Sequence, residues 1–194
     1  MPPSLPRALS TKIPNSAIFN HYGSTENSSV IIWKWSRDFS GDTVPVGRPI
    51  PNKRIYLLDP HGNPVPLGTV GELYTGGVGV VRGYLNKPEL TAEVFLPDQF
   101  VGGSEARMYK SGDLARCLSD GNLLYHGRND FQVKVRGFRI DLGEIEAHLT
   151  DHHLVSEAVV VAVGEGKLKT QLVAYVIAKS VEQLRESVSG AQCK

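Results

Sequence analysis

The sequence predicts an α+β fold: a small distorted β-barrel or sheet subdomain over residues 1–129, then a partial α/β subdomain over residues 130–194. Two observations predict it. Between residues 46 and 125, short apolar runs alternate with Gly, Pro, Asn and Asp turn signals, which is typical of small antiparallel barrels and sheets. After Asp130, the pattern changes to alternating strands and helices. The boundary between the two units is therefore placed at Asp130.

The first unit is predicted to contain mainly short strands. Residues 1–16 hold four of the twelve prolines and show no periodicity, so they are expected to form a loop. Pro88–Phe95 predicts a short helix because proline is tolerated in the first helical turn. Apolar and β-branched runs predict the strands, at 17–19, 54–58, 70–74 and within 108–125. Turn residues separate these strands, at 22–26, 59–63, 76–77 and 120–122.

The second unit begins with an alternating strand over 131–135, which is followed by a hairpin turn at Gly137. Helical spacing from about Leu142 to Thr150 comes next. The remaining predicted elements are two β-branched strands, 155–163 and 170–178, and an amphipathic segment, 181–188, after Ser180 as a suitable N-cap.

Composition excludes several classes of protein. The 194 residues are 41% hydrophobic, which is enough for a globular core. A formal net charge of +1 leaves no basic excess for binding nucleic acid. No apolar run approaches the roughly 20 residues of a membrane span, and the first residues lack a secretory signal. Cys117 and Cys193 have no metal-like spacing, so they are interpreted as reduced thiols, and the cytoplasm is the expected location.

The most specific motif is the run from Gly127 to Leu149. It contains Arg-x-Asp before a strand and Arg-Gly-x-Arg at the following turn. This run resembles the eighth core motif of adenylate-forming enzymes. Its ending, Leu142–Glu146, is similar to the amino-acid-activating adenylation domains of nonribosomal peptide synthetases. The resemblance implies that Asp130 is a hinge about which a C-terminal lid swings between two poses.

A second motif runs from Asn20 to Glu26. Alone it could be a simple strand-to-loop turn, but it resembles the fifth core motif of the same family, Tyr-Gly-x-Thr-Glu. It also precedes the run at Gly127 by the expected distance. By this resemblance, Tyr22 stacks on adenine and Asn20 meets the adenine edge. Thr25 and Glu26 are the catalytic assignments, with Thr25 on the α-phosphate and Glu26 binding Mg²⁺.

A third motif, Tyr109 to Leu114, resembles the seventh core motif, Tyr-x-Thr-Gly-Asp, with Ser111 in the place of threonine. The hydroxyl is therefore kept. In the family the aspartate, here Asp113, binds the ribose, because a carboxylate can accept hydrogen bonds from two adjacent hydroxyls. Arg128 and Tyr125 are its expected companions at the nucleotide.

The glycine-rich stretch Gly71–Tyr84 superficially resembles a dinucleotide-binding fingerprint. Its glycine spacing is wrong for that motif, however, and Pro88 prevents a long helix from following. The glycines are therefore expected to serve turns and close backbone packing. Extended to Thr91, the stretch resembles the sixth core motif, whose role in the family is largely architectural.

Further assignments follow from the resemblance alone. Gly137 would present bare backbone to a pantetheine tunnel, and Arg139 would contact phosphate or help to dock the lid. His21, Ser29 and Val30 would line the side-chain pocket of the amino-acid substrate.

The resemblance implies an activity for the complete enzyme. It would activate an amino acid with ATP to aminoacyl-AMP, then transfer the aminoacyl group to the phosphopantetheine thiol of a carrier protein. Expected cofactors are ATP/AMP and Mg²⁺. Expected partners are the amino acid, the carrier protein and neighbouring synthetase domains, with no nucleic acid and no membrane. The alternatives are an acyl- or aryl-CoA ligase fragment, which Leu142–Glu146 disfavours, and a non-catalytic scaffold or docking fragment.

The resemblance covers about Ala17 to Ala178, and parts of the family pattern are missing from this sequence. These parts are the Ser/Thr/Gly-rich phosphate loop, the aspartate that holds the substrate amino group, and the lysine of an Asn-Gly-Lys motif. Residues 1–129 therefore correspond to the C-terminal part of an adenylation core, and residues 130–194 to part of its lid. The chain alone is expected to be inactive.

Overall fold

The computed structural model describes residues 2–103, 105–130, 132–135, 138–164 and 171–179. The chain divides into two compact units, Met1–Asn129 and Asp130–Lys194. Antiparallel sheets dominate both units and helices accompany them. The predicted mixed, sheet-rich fold class is confirmed.

The first element is a helix, α1 (Ser4–Lys12), where a loop was predicted. The prediction of a loop was wrong because Pro3 is the N-cap of this helix and Pro6 lies in its first turn. Backbone N–H groups have no helical partner there, so proline removes nothing that the helix uses. The helix ends before Pro14. Arg7 ties it to the rest of the unit, since its Nη2 donates to the Phe39 carbonyl at 3.2 Å.

A three-stranded antiparallel sheet follows, in the order β1 (Phe19–Ser24), β2 (Ser28–Lys34) and β3 (Arg48–Pro49). The first strand starts two residues later than predicted and continues through Tyr22 and Gly23, which were predicted to lie in a turn. Pairing with β2 explains this, because Tyr22 lies opposite Ile31 and the register shifts only after Tyr22. The turn between β1 and β2 is formed by residues 25–27.

A five-stranded antiparallel sheet forms the rest of the first unit. Its strands are β4 (Lys53–Leu58), β5 (Val70–Gly77), β6 (Phe95–Pro97), β7 (Arg107–Cys117) and β8 (Leu123–Arg128). The order is β4-β5-β7-β6, and β8 also pairs with β7. The predicted short helix is present as α2 (Pro88–Val94). The predicted turn at 59–63 is present as well, since Asp59 Oδ1 accepts from the His61 and Asn63 amides.

The main core of this unit lies between its two sheets. Six buried side chains form it: Tyr22, Val30, Ile31, Leu73, Ala115 and Leu123. The close approach of the chain at Gly47 requires glycine, because its φ is +106° and a Cβ atom would lie 2.0 Å from the Ile32 carbonyl oxygen. This packing holds the end of β1 close to the middle of β7.

The second unit matches its predicted order. Its elements are β9 (Gln132–Val135), β10 (Phe138–Asp141), α3 (Leu142–Thr150), β11 (Val155–Val163) and β12 (Gln171–Ala178). Asp141 caps α3, with its Oδ1 accepting from the Gly143 amide at 2.9 Å. Glu146 Oε1 accepts from the Val160 amide at 2.8 Å and so links helix to strand. The predicted segment 181–188 lies outside the described residues.

Among the described residues, no helix has the length and apolar character that would let it cross a membrane.

Candidate functional site

The candidate site is built around Asp113, in the middle of β7. The preceding Gly112 has a φ of +72°, a conformation that glycine adopts without strain. Asp113 lies opposite Arg128 in the pairing of β7 with β8. Only 4% of Asp113 remains exposed, so its carboxylate is a buried charge that needs partners.

Three side chains supply those partners. Arg128 Nη1 lies 2.7 Å from Asp113 Oδ1, and both side chains are less than 10% exposed. The Tyr125 hydroxyl donates to the same oxygen at 3.4 Å. The Tyr22 hydroxyl donates to Asp113 Oδ2. Tyr22, Tyr125 and Arg128 were all predicted to contact the nucleotide. In the structure their side chains converge on the carboxylate of Asp113, which was predicted to bind the ribose.

Ser111 stabilises the backbone around Asp113 and the position of Arg128. Its hydroxyl donates to the Leu73 carbonyl at 2.6 Å and accepts from the Asp113 amide at 3.1 Å. Its own carbonyl accepts from Arg128 Nη2 at 2.8 Å. The hydroxyl thus fixes the backbone that carries Asp113. The sequence signal for this role was the retention of a hydroxyl at the position where the family motif has threonine.

Burial changes the acid–base behaviour of several tyrosines. Burial raises the pKa of Tyr22 well above its ordinary value, and the neighbouring Asp113 charge raises it further. Burial, helped by the Glu72 charge, raises the pKa of Tyr74 to about 12. Tyr84 also has a raised pKa, through burial and its hydrogen bond to Glu26. Tyr22 therefore remains a neutral donor to Asp113 at physiological pH.

These shifts predict an alkaline loss of stability. The folded chain binds the phenolic protons more tightly than the unfolded chain. The stabilisation is therefore complete below about pH 10 and is lost as the pH rises through the raised folded-state pKa values. Urea unfolding at about pH 8 and about pH 11 should show a falling free energy of unfolding, with a smaller fall for Tyr74→Phe. If all seven tyrosines ionise near pH 10 in a folded chain, the pKa assignments are wrong.

The Glu26 turn forms the second part of the site. Glu26 is 7% exposed, and its Oε1 accepts from the Tyr84 hydroxyl at 2.8 Å. Its carbonyl accepts from the Val81 amide at 3.0 Å. Thr25, next to it, is exposed. The sequence did not identify Tyr84 as a site residue, although it ends the glycine-rich stretch that was interpreted as architectural.

The residues predicted for the adenine edge and the amino-acid pocket have other surroundings in the structure. Asn20 donates its side-chain amide to the Pro45 carbonyl at 2.6 Å. His21 is exposed. Val30 is 1% exposed and packs in the main core. Nothing is described for the Ser29 side chain. Since the wall of a closed pocket and a core residue are equally buried, the assignment of Val30 to a pocket stays a prediction.

In the second unit, Asp130 is exposed and its Oδ1 accepts from the Gln132 amide at 3.1 Å. This local hydrogen bond is typical of Asp at the start of a new element. Gly137 lies outside the described residues, as does the side chain of Arg139. Their predicted roles at a pantetheine tunnel and at the lid contact stay predictions.

Comparison with known proteins gives consistent similarities. Residues 1–85 match the family model described as AMP-binding enzyme. Malpinin synthetase of Mortierella alpina is 54% identical over 189 residues, which are 96% of this chain and 2% of that protein. Tyrocidine synthase 3 of Brevibacillus parabrevis is 44% identical over 184 residues, which are 93% of this chain and 3% of that protein.

Solved structures show the same likeness. An artificially fused adenylation–PCP di-domain from Klebsiella oxytoca superposes with a TM-score of 0.70 at 30% identity, over 95% of this chain and 35% of that one. An NRPS protein containing adenylation and PCP domains superposes with a TM-score of 0.75 at 28% identity, over 92% of this chain and 37% of that one. The chain thus spans about a third of these structures and a few per cent of the curated relatives.

Proposed function

Because this chain belongs to the AMP-binding enzymes, among the adenylation domains of nonribosomal peptide synthetases, we propose that it carries the ribose-binding part of such a domain. The complete protein joins the carboxylate of an amino acid to ATP and releases pyrophosphate. It then passes the aminoacyl group to the phosphopantetheine thiol of a carrier protein. The observation that carries this proposal is the convergence of Tyr22, Tyr125 and Arg128 on Asp113.

When ribose binds at Asp113, its hydroxyls replace the tyrosine hydroxyls that donate hydrogen bonds to the carboxylate. Both carboxylate oxygens already accept hydrogen bonds, from Arg128 and Tyr125 on Oδ1 and from Tyr22 on Oδ2. Each carboxylate oxygen has two lone pairs, so the diol hydroxyls can replace the tyrosine hydroxyls as donors while Arg128 stays bound to Oδ1. Arg128 keeps the charge balanced while the tyrosine hydroxyls give way. The ring of Tyr22, once released, would be the surface on which adenine stacks.

The Glu26 turn fits a Mg²⁺ ion that is held mainly by substrate phosphates. Mg²⁺ prefers oxygen ligands and is usually bound through one or two protein carboxylates. Within the described ranges, no three His, Cys, Asp or Glu side chains cluster, so a metal ion here would take most of its ligands from the substrate. Glu26 is proposed as the protein ligand from its place in the family motif, with Thr25 beside it on the α-phosphate. A bound Mg²⁺ would neutralise charge on the ATP phosphates.

The amino-acid pocket and the lid complete the proposal. His21, Ser29 and Val30 are proposed to line the pocket, and His21 is exposed. Asp130 is proposed as the hinge, at the boundary between the two compact units. Gly137 would face the pantetheine, so the carrier protein and neighbouring synthetase domains are the proposed partners. The cytoplasm is the proposed location, because Cys117 is a free thiol, as is usual in a reducing compartment.

ATP–pyrophosphate exchange with a panel of acids tests this function in a complete adenylation domain that carries this segment. Exchange that depends on one amino acid is expected, and His21→Ala should change which amino acid drives it. Asp113→Ala should lower exchange by about two orders of magnitude. Exchange with fatty or aryl acids would instead favour a CoA ligase. A domain that exchanges with no acid would favour a non-catalytic scaffold.

A further inference from the structure

A lysine on β4 contacts the turn that carries Glu26. Lys53 Nζ lies 2.8 Å from the backbone oxygen of Asn27 and 2.8 Å from its Oδ1. Asn27 follows Glu26 directly and is completely buried. One ammonium group therefore holds both the main chain and the side chain of the residue next to the carboxylate. Such charge-assisted bonds are stronger than those between neutral groups.

The glycine-rich loop makes room for this contact. Gly79 has a φ of +96°, and a Cβ atom there would lie only 2.5 Å from Lys53 Nζ. The same loop donates from Val78 to the Asn52 carbonyl and from Val81 to the Glu26 carbonyl, each at 3.0 Å. Both ends of the loop segment are thus fastened, one beside Lys53 and the other to Glu26.

Glu26 is consequently held from two sides. Tyr84 and Val81, both on the glycine-rich loop, contact its carboxylate and its carbonyl. Lys53, on β4, holds the carbonyl and the side chain of the residue that follows it. Removing the lysine would release these two Asn27 oxygens and loosen the turn next to Glu26, while Tyr84 still anchored one carboxylate oxygen.

We propose that Lys53 is a positioning residue for Glu26, acting through Asn27, so that the Glu26 carboxylate meets the divalent ion of the nucleotide in one fixed orientation. This inference rests on the proposed role of Glu26 as a metal ligand. Groups that orient a metal ligand without touching the metal typically change metal affinity by about 10- to 100-fold when they are replaced. Replacing Lys53 is expected to change metal affinity by an amount at the lower end of this range, because Tyr84 still holds the Glu26 carboxylate.

The test measures metal binding directly. In a complete adenylation domain carrying this segment, Mn²⁺ is titrated by electron paramagnetic resonance in the presence of a non-hydrolysable ATP analogue. Lys53→Met should weaken Mn²⁺ binding about tenfold, and Lys53→Arg should restore most of it. Lys34→Met, at an exposed lysine on β2, is the matched control and should leave Mn²⁺ binding unchanged. If Lys53→Met does not fold, Lys53→Gln takes its place with the same expected loss.

Two results would overturn the inference, and they are distinguishable. If Glu26→Gln weakens Mn²⁺ binding and the Lys53 variants do not, Glu26 is a ligand but Lys53 does not position it. If Glu26→Gln leaves Mn²⁺ binding unchanged, the metal role of Glu26 fails and the inference fails with it. A lower thermal stability of Lys53→Met with unchanged Mn²⁺ affinity would show a purely structural contact.

Discussion

Replacing Arg128 by methionine is expected to lower the free energy of unfolding of this chain by about 3–5 kcal/mol. The change removes the cation that faces Asp113 at 2.7 Å and leaves a carboxylate whose side chain is 6% exposed. A buried charge without its counter-ion costs far more than the pair contributed, because desolvation is no longer offset. The loss of the bond to the Ser111 carbonyl adds to it. Urea unfolding monitored by circular dichroism measures the effect.

Two further variants show whether the buried charge is the cause. Arg37→Met removes an exposed arginine that donates to backbone carbonyls, and it should cost about 1 kcal/mol or less. Asp113→Asn combined with Arg128→Met removes both charges and should recover part of the loss, as coupled neighbours do. Equal losses for Arg128→Met and Arg37→Met would show that the pair is not buried in solution.

The 194-residue chain by itself is expected to give no ATP–pyrophosphate exchange with any amino acid. The reaction places negative charge on the α-phosphate and on the leaving pyrophosphate, and catalysis depends on fixed positive groups aimed at them. Arg128 is the cation at the Asp113 cluster, and its two terminal nitrogens already bond Asp113 and the Ser111 carbonyl. Lys53, beside the Glu26 turn, already bonds two oxygens of Asn27. The sequence has no phosphate loop and no Asn-Gly-Lys lysine.

Losing one such donor typically costs about two to three orders of magnitude in rate, and losing the loop as well should abolish ATP binding. Exchange assays with a panel of amino acids, together with calorimetric titration of ATP, measure both effects on the purified chain. Exchange above background with any amino acid would show that residues other than the family lysine and loop support the chemistry.

The sequence predicted the parts of the fold that depend on local patterns. Helical spacing of the apolar residues predicted a helix from about Leu142 to Thr150, and the structure has α3 over that range. The same reasoning failed at Ser4–Lys12. Four prolines within residues 1–16 indicated a loop, but proline in a first turn removes no hydrogen bond that the helix needs. The strand through Tyr22 was missed because its pairing with β2 depends on residues outside the motif.

For the candidate site as well, the sequence predicted what motifs report and missed what tertiary packing decides. Family motifs indicated that Asp113 and Arg128 act together, and the β7–β8 register places them opposite each other. Tyr84 was missed because it lies 58 residues from Glu26, and no local pattern reports a contact made through tertiary packing. Lys53 was missed for the same reason, since its partner Asn27 is distant in sequence. Partners of this kind are set by strand register and packing, which a single sequence does not reveal.

The proposed binding of a nucleotide ribose by Asp113 can be measured as discrimination between two nucleotides. Calorimetric affinities for ATP and for its 2′,3′-dideoxy analogue, in a complete adenylation domain carrying this segment, test it most directly. The unmodified domain should bind ATP at least about tenfold more tightly than the analogue, because a hydrogen bond to a charged group contributes about 1.5–3 kcal/mol. Asp113→Asn should remove most of that preference. Asp98→Asn, at a second buried carboxylate paired with an arginine, should leave it intact. An Asp113→Asn variant that still prefers ATP as strongly as the unmodified domain would contradict the account.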